Sequence, residues 1–246
     1  MNKYFYDLHI HSCLSPCADD DMTPNNIAGM AALNGLQVVA LTDHNSAKNC
    51  PAFFEACKRQ GLIAIAGVEL STAEDIHLVC LFPELDAAME FDKALESHLA
   101  PIKNKPHIFG NQLVLNSEDE PIMEIEDLLI TATDLWAGDA IEFAKGFGAH
   151  VHPAHIDRAS NGMIAILGDI PLEYRFNRVE FNDGSKAQEY YANYNSIKGT
   201  PCIVSSDAHH LWDINEAKNF FMIDDEPYSS ANVRRKIFED LMANNV

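Results

Sequence analysis

The amino-acid sequence predicts an α/β fold built from repeated strand–helix units. Short apolar runs alternate with helix-like segments, and the run at residues 36–41 shows no polar alternation, which is typical of a strand buried on both faces. Seven strands are predicted, at residues 4–11, 36–41, 62–68, 76–82, 149–154, 178–181 and 201–205. Repeated units of this kind favour parallel strands with right-handed crossovers. Seven strands can close into a barrel or form an open doubly wound sheet, and periodicity does not choose between the two.

Helix-like segments separate most of these strands. Thr23 and Pro24 form an N-cap followed by proline at the first helical position, and Gly35 ends this helix. Ser229 or Ser230 can cap a C-terminal helix. The other helices are predicted at residues 51–61, 85–98, 137–147 and 186–197, with the C-terminal helix running to residue 242.

Two segments interrupt the alternation. Residues 69–75 join two strands without room for a helix, so the chain should reverse direction there. Residues 101–127 carry proline, asparagine and acidic residues around a short apolar run, and we interpret them as an excursion in the form of a hairpin. Because no repeat or low-complexity tract divides the sequence, a single domain over residues 1–246 is predicted.

Composition and charge narrow the classes of function. The chain has 17 basic and 37 acidic residues, a formal net charge of -20. Because phosphate backbones are bound by clustered Lys and Arg, no long nucleic acid is expected as a partner. A small phosphorylated substrate is compatible with this charge if metal ions supply local positive charge.

Hydropathy, the N-terminal residues and the cysteine spacing bear on location and on cysteine chemistry. No apolar run approaches the roughly 20 residues that span a bilayer, and the N-terminus lacks a signal-peptide pattern. We therefore expect a cytoplasmic protein with no membrane partner, and the oligomeric state stays open. The 6 cysteines match no zinc-finger spacing. Cys13 and Cys17 are assigned to loop packing.

The first predicted strand carries the motif Asp7-Leu8-His9-Ile10-His11. Side chains alternate along a strand, so Asp7, His9 and His11 should point to one side and the two apolar residues to the other. Buried imidazoles need partners, and one metal ion satisfies two of them at once. Taken alone, the motif is equally compatible with two hydrogen-bonded structural histidines.

Metal-competent side chains also lie at the ends of the later strands. His44 follows the second strand, Glu69 the third, His155 the fifth and Asp207 to His210 the last, while His77 begins the fourth. In parallel α/β folds, functional groups collect at the carboxyl ends of the strands. Imidazole and carboxylate ligands together favour Mn, Zn or Fe over Ca or Mg. The number of groups is too high for one tetrahedral ion, so two or three divalent transition metal ions are predicted.

These motifs resemble the PHP (polymerase and histidinol phosphatase) family. The matching segments are Asp7-Leu8-His9-Ile10-His11-Ser12, Leu41-Thr42-Asp43-His44, Gly67-Val68-Glu69, His77, Ala154-His155 and Ser206-Asp207-Ala208-His209. They occur in the family's order and span nearly the whole chain. The resemblance implies a distorted seven-stranded (β/α) barrel with a trinuclear metal centre, and it implies hydrolysis of phosphate esters.

The family pattern also implies a ligand set and leaves two positions ambiguous. His9, His11, His44, Glu69, His77, His155, Asp207 and His209 match it directly. The family usually has an acidic residue or histidine shortly after the first pair, whereas this chain has a longer loop. We favour Asp20 over Asp19 there, with Asp21 also open. The usual Ala-His-Pro is split, and aligning on Ala154-His155 leaves His152 structural and places Arg158 where it could face a phosphate.

The implied reaction assigns roles to individual side chains. Hydrolysis would use metal-activated water at the multinuclear site, with Arg158 neutralising charge on the phosphoryl oxygens. His209 or His210 could protonate the leaving group, although His210 is more simply explained by packing beside Trp212. Asp43 and Glu180 are expected to orient ligands rather than bind metal.

The sequence leaves three functional hypotheses. The favoured one is a phosphoesterase acting on a small phosphorylated metabolite or a nucleotide. An amidohydrolase-type enzyme also uses His-x-His on its first strand, but it requires a bridging lysine, and Glu69 occupies the comparable position. The third alternative, a non-catalytic PHP module, is disfavoured because the ligand set looks almost complete.

Overall fold

The computed structural model describes residues 1–243 and contains strands and helices in alternation for most of its length. The strands are β1 (Asn2–Asp7), β2 (Val38–Leu41), β3 (Ile63–Ser71), β4 (His77–Phe82), β5 (Leu113–Leu115), β6 (Pro121–Glu124), β7 (His150–Pro153), β8 (Val179–Phe181), β9 (Cys202–Val204) and β10 (Phe220–Ile223). The helices are α1 (Pro24–Leu33), α2 (Cys50–Gln60), α3 (Leu85–Leu95), α4 (Pro106–Phe109), α5 (Ala137–Gly146), α6 (Met163–Leu167), α7 (Ala187–Asn193) and α8 (Ser230–Met242).

The main sheet has six strands in the order β10-β1-β2-β3-β4-β7. The first three strands of the chain are parallel, and β4 is antiparallel to β3, as the short connection between them requires. That connection turns at Asp75, whose φ of 66° is left-handed and whose N–H donates to the Thr72 carbonyl at 2.9 Å. The reversal returns His77 to the edge where β3 ends.

The sheet is covered on both faces, which explains its continuous apolar runs. Val39 and Leu41 of β2 pack with α1, α2, α3 and α5 in one apolar cluster. Val38 and Ala40, which point the other way, pack with α8 in a second cluster. A strand buried on both faces has no solvent-exposed side, so its sequence does not alternate between apolar and polar residues.

The helix boundaries follow local capping. The Thr23 hydroxyl accepts from the Asn26 N–H at the start of α1, and the Ser229 hydroxyl does the same for Asn232 at the start of α8. Gly61 ends α2 with a φ of 72°, a conformation that costs little without a Cβ. None of the helices in residues 1–243 combines the length and apolarity needed to cross a bilayer.

The α/β class is confirmed, but a closed seven-stranded barrel is not found. Each of the seven predicted segments contains a strand, yet β8 and β9 form a separate parallel pair. A few backbone hydrogen bonds link this pair to the main sheet. The Ile156 N–H donates to the Glu180 carbonyl at 2.8 Å. On the other side, the His11 N–H donates to the Ala208 carbonyl at 3.0 Å and the Ala208 N–H donates to the His9 carbonyl at 3.4 Å, which forms an isolated parallel bridge. Strands of three residues form too few hydrogen bonds to continue a ladder on both sides.

Two other features differ in detail from the prediction. The strand β10 was not predicted, and it pairs antiparallel with β1 at the sheet edge. The excursion at residues 101–127 contains the antiparallel pair β5–β6, as expected for a hairpin, and also the short helix α4.

Candidate metal centre

Side chains from the strand ends converge on one buried cluster. Eight of the nine predicted ligands belong to it: His9 and His11 after β1, His44 after β2, Glu69 on β3, His77 on β4, His155 after β7, and Asp207 and His209 after β9. The carboxyl ends of β1, β2 and β3 meet at one edge because these strands are parallel, and β4 starts at the same edge. The topology therefore collects residues that are far apart in the sequence.

His9, His11, Glu69 and Asp207 form a group of four donors. Nε2 of His9 lies 3.1 Å from Nε2 of His11, 3.3 Å from Oε1 of Glu69 and 3.4 Å from Oδ1 of Asp207. Nε2 of His11 lies 3.3 Å from Oε2 of Glu69 and 3.2 Å from Oδ1 of Asp207. Ligand atoms bound at about 2.1 Å to one ion are about 3.0–3.4 Å apart in octahedral or tetrahedral geometry. The observed separations match that spacing.

Hydrogen bonds fix the orientation of the first two imidazoles. Nδ1 of His9 lies 2.8 Å from the Glu180 carboxylate, and Nδ1 of His11 lies 3.1 Å from the Ser15 hydroxyl, which itself donates to Asp43 at 2.7 Å. Both Nδ1 atoms are therefore donors, and in the neutral rings both Nε2 lone pairs face the centre of the cluster. With both rings neutral, two lone pairs 3.1 Å apart repel each other, and either a proton on His11, whose pKa is raised to about 9, or a metal ion at the centre relieves this repulsion. The arrangement fits a bound metal ion.

Glu69 is the shared member of the cluster. Its Oε1 lies 2.9 Å from Nδ1 of His77, 3.1 Å from Nε2 of His155 and 3.3 Å from Nε2 of His9, while Oε2 lies 3.0 Å from Nδ1 of His44. Nδ1 of His44 is nevertheless buried without a hydrogen bond, because the geometry is wrong for one. Nδ1 of His155 is likewise buried and unpaired. A carboxylate surrounded on both sides by imidazole nitrogens has the environment of a bridging ligand.

Three groups of donors can be distinguished within the cluster, and they overlap. The groups are His11, His44 and His209; His9, His11, Glu69 and Asp207; and His44, Glu69 and His77. Each pair of groups shares one residue. Imidazoles combined with carboxylates are suited to Zn, Mn or Fe rather than to the hard cations Ca and Mg.

Asp20, the ninth predicted ligand, is not brought to this cluster. Its carboxylate is exposed, and both oxygens accept from Asn111 Nδ2 at 3.0 Å. Among residues 1–243, Asp19 and Asp21 are also absent from the donor groups. The loop instead places Cys17 at the mouth of the cavity described next. The sequence could not establish whether any of these three aspartates reaches the centre, because side-chain directions in a loop follow no regular period.

A cavity of about 280 Å³ opens onto the cluster. It is lined by His44, Glu69, His77, Arg158, Asp207 and His209, among others. The guanidinium of Arg158 donates to Oδ2 of Asp207, and the Arg158 side chain remains 46% exposed. Arg158 therefore lies between the donors and solvent, where the sequence placed a phosphate-facing arginine. A larger groove of about 570 Å³ lies beside α8, away from the donor groups.

The surroundings of His209 favour a role as a metal ligand over a role as a general acid. Burial and the neighbouring His11 lower its pKa to about 3. Its Nδ1 donates to the Asp207 carbonyl at 2.8 Å, so Nε2 carries the free lone pair. A histidine that stays neutral across the working pH range cannot readily protonate a leaving group. His210 stacks on Trp212, with ring centroids 4.8 Å apart, which agrees with the packing interpretation.

Glu180 has a larger role than its sequence position suggested. It is fully buried on β8, and its Oε1 accepts from His9 Nδ1 at 2.8 Å and from the His155 N–H at 3.1 Å. Nε2 of His152 lies 3.6 Å from the other oxygen. One carboxylate thus orients the ring of one candidate ligand and the backbone of another. Asp43 contacts a ligand indirectly: it accepts from the Ser15 hydroxyl at 2.7 Å, and this hydroxyl in turn accepts from Nδ1 of His11.

Two candidate ligands have an unusual backbone conformation. His155 has a φ of 28° and Asp207 a φ of 54°, both left-handed and uncommon for residues other than glycine. The Glu180 carboxylate bonds the N–H of His155, and the side chain of Asp207 is held by Arg158. Strained residues of this kind cluster at functional sites, where surrounding contacts maintain them.

The ionisation of the cluster is strongly coupled. Burial opposes charge on Glu69, but the nearby His77, His9 and His44 outweigh it and hold the Glu69 pKa well below its usual range. Burial likewise disfavours a charged His11, but bonds to Asp207 and Glu69 raise its pKa to about 9. Burial dominates at His44 and lowers its pKa to about 4. The carboxylates are therefore ionised, and a cation at the centre satisfies them.

The fold and this donor set define an α/β protein with a cluster of His, Glu and Asp side chains at the strand ends that could hold metal ions. A model of the PHP domain matches residues 7–212, and the chain belongs to this family. The prediction of PHP membership is thus confirmed. The predicted class, a metal-dependent hydrolase of phosphate esters, is confirmed at the level of the family.

Two nucleases and a phosphoesterase share parts of the sequence or the fold. The 5′-3′ exoribonuclease of Haemophilus influenzae is 34% identical over 103 residues, 39% of this chain and 36% of that protein. The lesion-specific endonuclease Q of Pyrococcus furiosus has a TM-score of 0.60 and 20% identity, covering 89% of this chain and 52% of that one. A Bifidobacterium adolescentis protein assigned as a metal-dependent phosphoesterase has a TM-score of 0.59 and 16% identity, covering 98% and 97%. The matched region thus spans about a third of the exoribonuclease and about half of the endonuclease.

The expectation that excluded a long nucleic acid is wrong. Endonuclease Q in complex with a 27-mer duplex matches with a TM-score of 0.56 and 20% identity, covering 85% of this chain and 50% of that one. A ribonuclease also matches the sequence. The net charge of -20 counts only the amino acids. Bound metal ions supply the local positive charge that meets a phosphate, so a count over the whole surface does not exclude this partner.

Proposed function

We propose that this chain is a metal-dependent phosphoesterase that hydrolyses phosphate esters of nucleotides, either free or at the end of a nucleic-acid strand. The environment of Glu69 carries this proposal, because its two oxygens lie within 3.3 Å of five imidazole nitrogens on the floor of a cavity. The exoribonuclease and the endonuclease among the relatives support a substrate with phosphodiester or phosphomonoester groups.

The metal-holding residues are proposed to be the eight that converge. His9, His11, Glu69 and Asp207 form one donor group, and His44, His77, His155 and His209 complete the others. The chemistry supplied at such donors, when ions are bound, is polarisation of the phosphoryl oxygens and a lower pKa of water. The overlapping groups support two or three ions, and the donor types support Mn, Zn or Fe.

The role proposed for Arg158 follows from its place at the cavity mouth. Asp207 accepts from one side of its guanidinium, which restricts the side chain without burying it. The remaining N–H groups can bind two phosphoryl oxygens at once, a geometry that lysine cannot reproduce. Arg158 would thus orient the phosphate and offset the charge that develops during hydrolysis.

The size of the cavity supports a small reacting group rather than a deeply bound duplex. About 280 Å³ accommodates a phosphate with its sugar and leaves the rest of a nucleotide at the rim. An amidohydrolase-type reaction finds less support, since no lysine lines this cavity among residues 1–243 and Glu69 lies where that reaction would require one.

The test is phosphate release from a panel of nucleotides, 5′-phosphorylated oligonucleotides and simple phosphomonoesters, with Mn, with Zn and with a chelator. Activity should require metal, and His9→Ala should abolish both activity and metal content while the fold persists. Asp20→Asn serves as the matched control, because Asp20 lies outside the cluster, and it should retain both. Turnover of an amide or lactone without phosphate release would refute the proposal. Failure to bind metal would indicate a non-catalytic module instead.

A further inference from the structure

Trp212 is an exposed aromatic residue on a turn that is held to the Asp7–His11 motif on both sides. It lies in the 3₁₀ turn Leu211–Asp213 and is 75% exposed. Before the turn, the ring of His209 stacks on His11 with centroids 4.3 Å apart. After the turn, the Asn215 N–H donates to the Asp7 carboxylate at the end of β1, at 3.0 Å. The turn is thus tied twice to the chain that carries the first histidine pair.

The indole ring is also held in a defined orientation. It stacks on His210 with centroids 4.8 Å apart and an interplanar angle of 4°. The neighbouring Ile214 is only 3% exposed, and Leu211 packs against the main apolar cluster, so the turn is anchored beneath the rings. Since three quarters of Trp212 is exposed, the indole face not covered by His210 is open to solvent. Exposed single apolar side chains are common, but a ring preoriented in this way is ready to stack on another.

We propose that the His210–Trp212 stack is a binding platform for a nucleobase beside the metal centre. This inference rests on the proposed phosphoesterase function and names the part of the substrate that is recognised. Trp212 lies three residues from His209, which limits their separation to roughly 10 Å of chain. A phosphate and ribose held in the cavity bring the attached base to its rim, within reach of the indole. Stacking on an aromatic ring tolerates every base, so no strong sequence preference is expected.

The surroundings of the platform favour stacking over charge as the source of affinity. The Asp19 carboxylate lies 3.5 Å from Nδ1 of His210, and Asp213 follows Trp212 in the chain. A carboxylate repels phosphates, so a strand that binds here gains little from contacts to its backbone. Because few counterions would be released, binding should depend only weakly on salt concentration.

Fluorescence provides a direct test, because the chain has only 2 tryptophans. Trp136→Phe leaves Trp212 as the only tryptophan, and Trp212→Phe leaves Trp136, which is also exposed, as the matched control. The metal-loaded variants are titrated with adenosine 5′-phosphorothioate and with ribose 5-phosphate, which lacks a base. Saturable quenching of Trp212 by the nucleotide, absent with ribose 5-phosphate and absent for Trp136, supports the platform. Equal quenching of both tryptophans, or no quenching of Trp212 by either the nucleotide or a 5′-phosphorylated oligonucleotide, overturns it.

Kinetics separate base recognition from a structural role of the ring. Trp212→Ala should raise KM for a nucleotide about 5- to 150-fold, the range expected for loss of one base–aromatic stack, with kcat little changed. Its kcat and KM for ribose 5-phosphate should be unchanged, and Trp212→Phe should recover most of the affinity for the nucleotide. Equal losses on both substrates would contradict the proposal.

Titration with two kinds of ligand identifies the source of the base, and the fluorescence readout does not depend on hydrolysis. Quenching by mononucleotides alone supports a free nucleotide, and quenching confined to 5′-phosphorylated oligonucleotides supports a strand end. Either result retains the platform. If the wild-type protein hydrolyses no phosphate ester, the proposed function fails, while the fluorescence titration still decides whether a base binds.

Discussion

The metal centre and the α8 face of the sheet are equally buried and are stabilised in opposite ways. Glu69 and His9 are at most 1% exposed, and so are Ile237 and Leu241 on α8. On α8, burial removes apolar surface from water, which stabilises the fold directly. At the centre, burial desolvates charge and lone pairs, which is unfavourable until partners offset it. Equal burial therefore does not imply an equal contribution to stability or to function.

The largest effect is expected at the shared carboxylate. Glu69→Gln keeps the size of the side chain but removes the negative charge that faces five histidines. Loss of a partner outside the ligand shell costs about 10- to 100-fold in metal affinity. We expect a larger loss here, together with loss of activity and of the rise in thermal stability on adding metal. Metal content and Tm with and without Mn measure this. A variant that retained full metal content would remove Glu69 from the ligand set.

A substitution on the α8 face should lower stability without changing metal binding. Ile237→Ala removes fully buried apolar atoms from the contact between α8 and the sheet. The free energy of unfolding should fall by about 2–5 kcal/mol, while metal content per folded molecule stays unchanged. Urea denaturation and metal analysis on the same sample test both statements. Loss of metal from a still-folded variant would show that the two regions are not independent.

A smaller effect on the metal centre is expected at Glu180. Glu180→Gln can still accept from His9, but the carboxylate that also holds the N–H of His155 loses its charge. Metal affinity should fall about 10-fold, and Glu180→Ala should lose up to about 100-fold. Chelator competition measures the affinity independently of activity. Equal affinities in all three proteins would show that Glu180 only fills space.

Residues in clear sequence motifs were predictable, and residues that depend on loops or long-range pairing were not. The motif identified His9 and His11, although both lie beyond β1, which ends at Asp7. Strand alternation does not continue through the motif, because Leu8 and Ile10 pack into different apolar clusters. Glu69 was identified from the end of a buried strand. Asp20 failed because loop geometry is set by contacts such as the one with Asn111, which no local pattern encodes. The importance of Glu180 arises from its contact with His9, 171 positions away in the chain. The distorted seven-stranded barrel is confirmed only in part, as a six-stranded sheet with a separate strand pair, because sheet closure depends on pairing between short strands that are distant in sequence.

The overlap of the three donor groups has a thermodynamic consequence. His11, His44 and Glu69 each belong to two groups, so an ion bound in one group changes the donors offered to the next. By linkage, each ion must alter the affinity for the others by the same factor in both directions. If two or three ions bind as proposed, their loading would be one coupled equilibrium, and a titration should not resolve into independent sites.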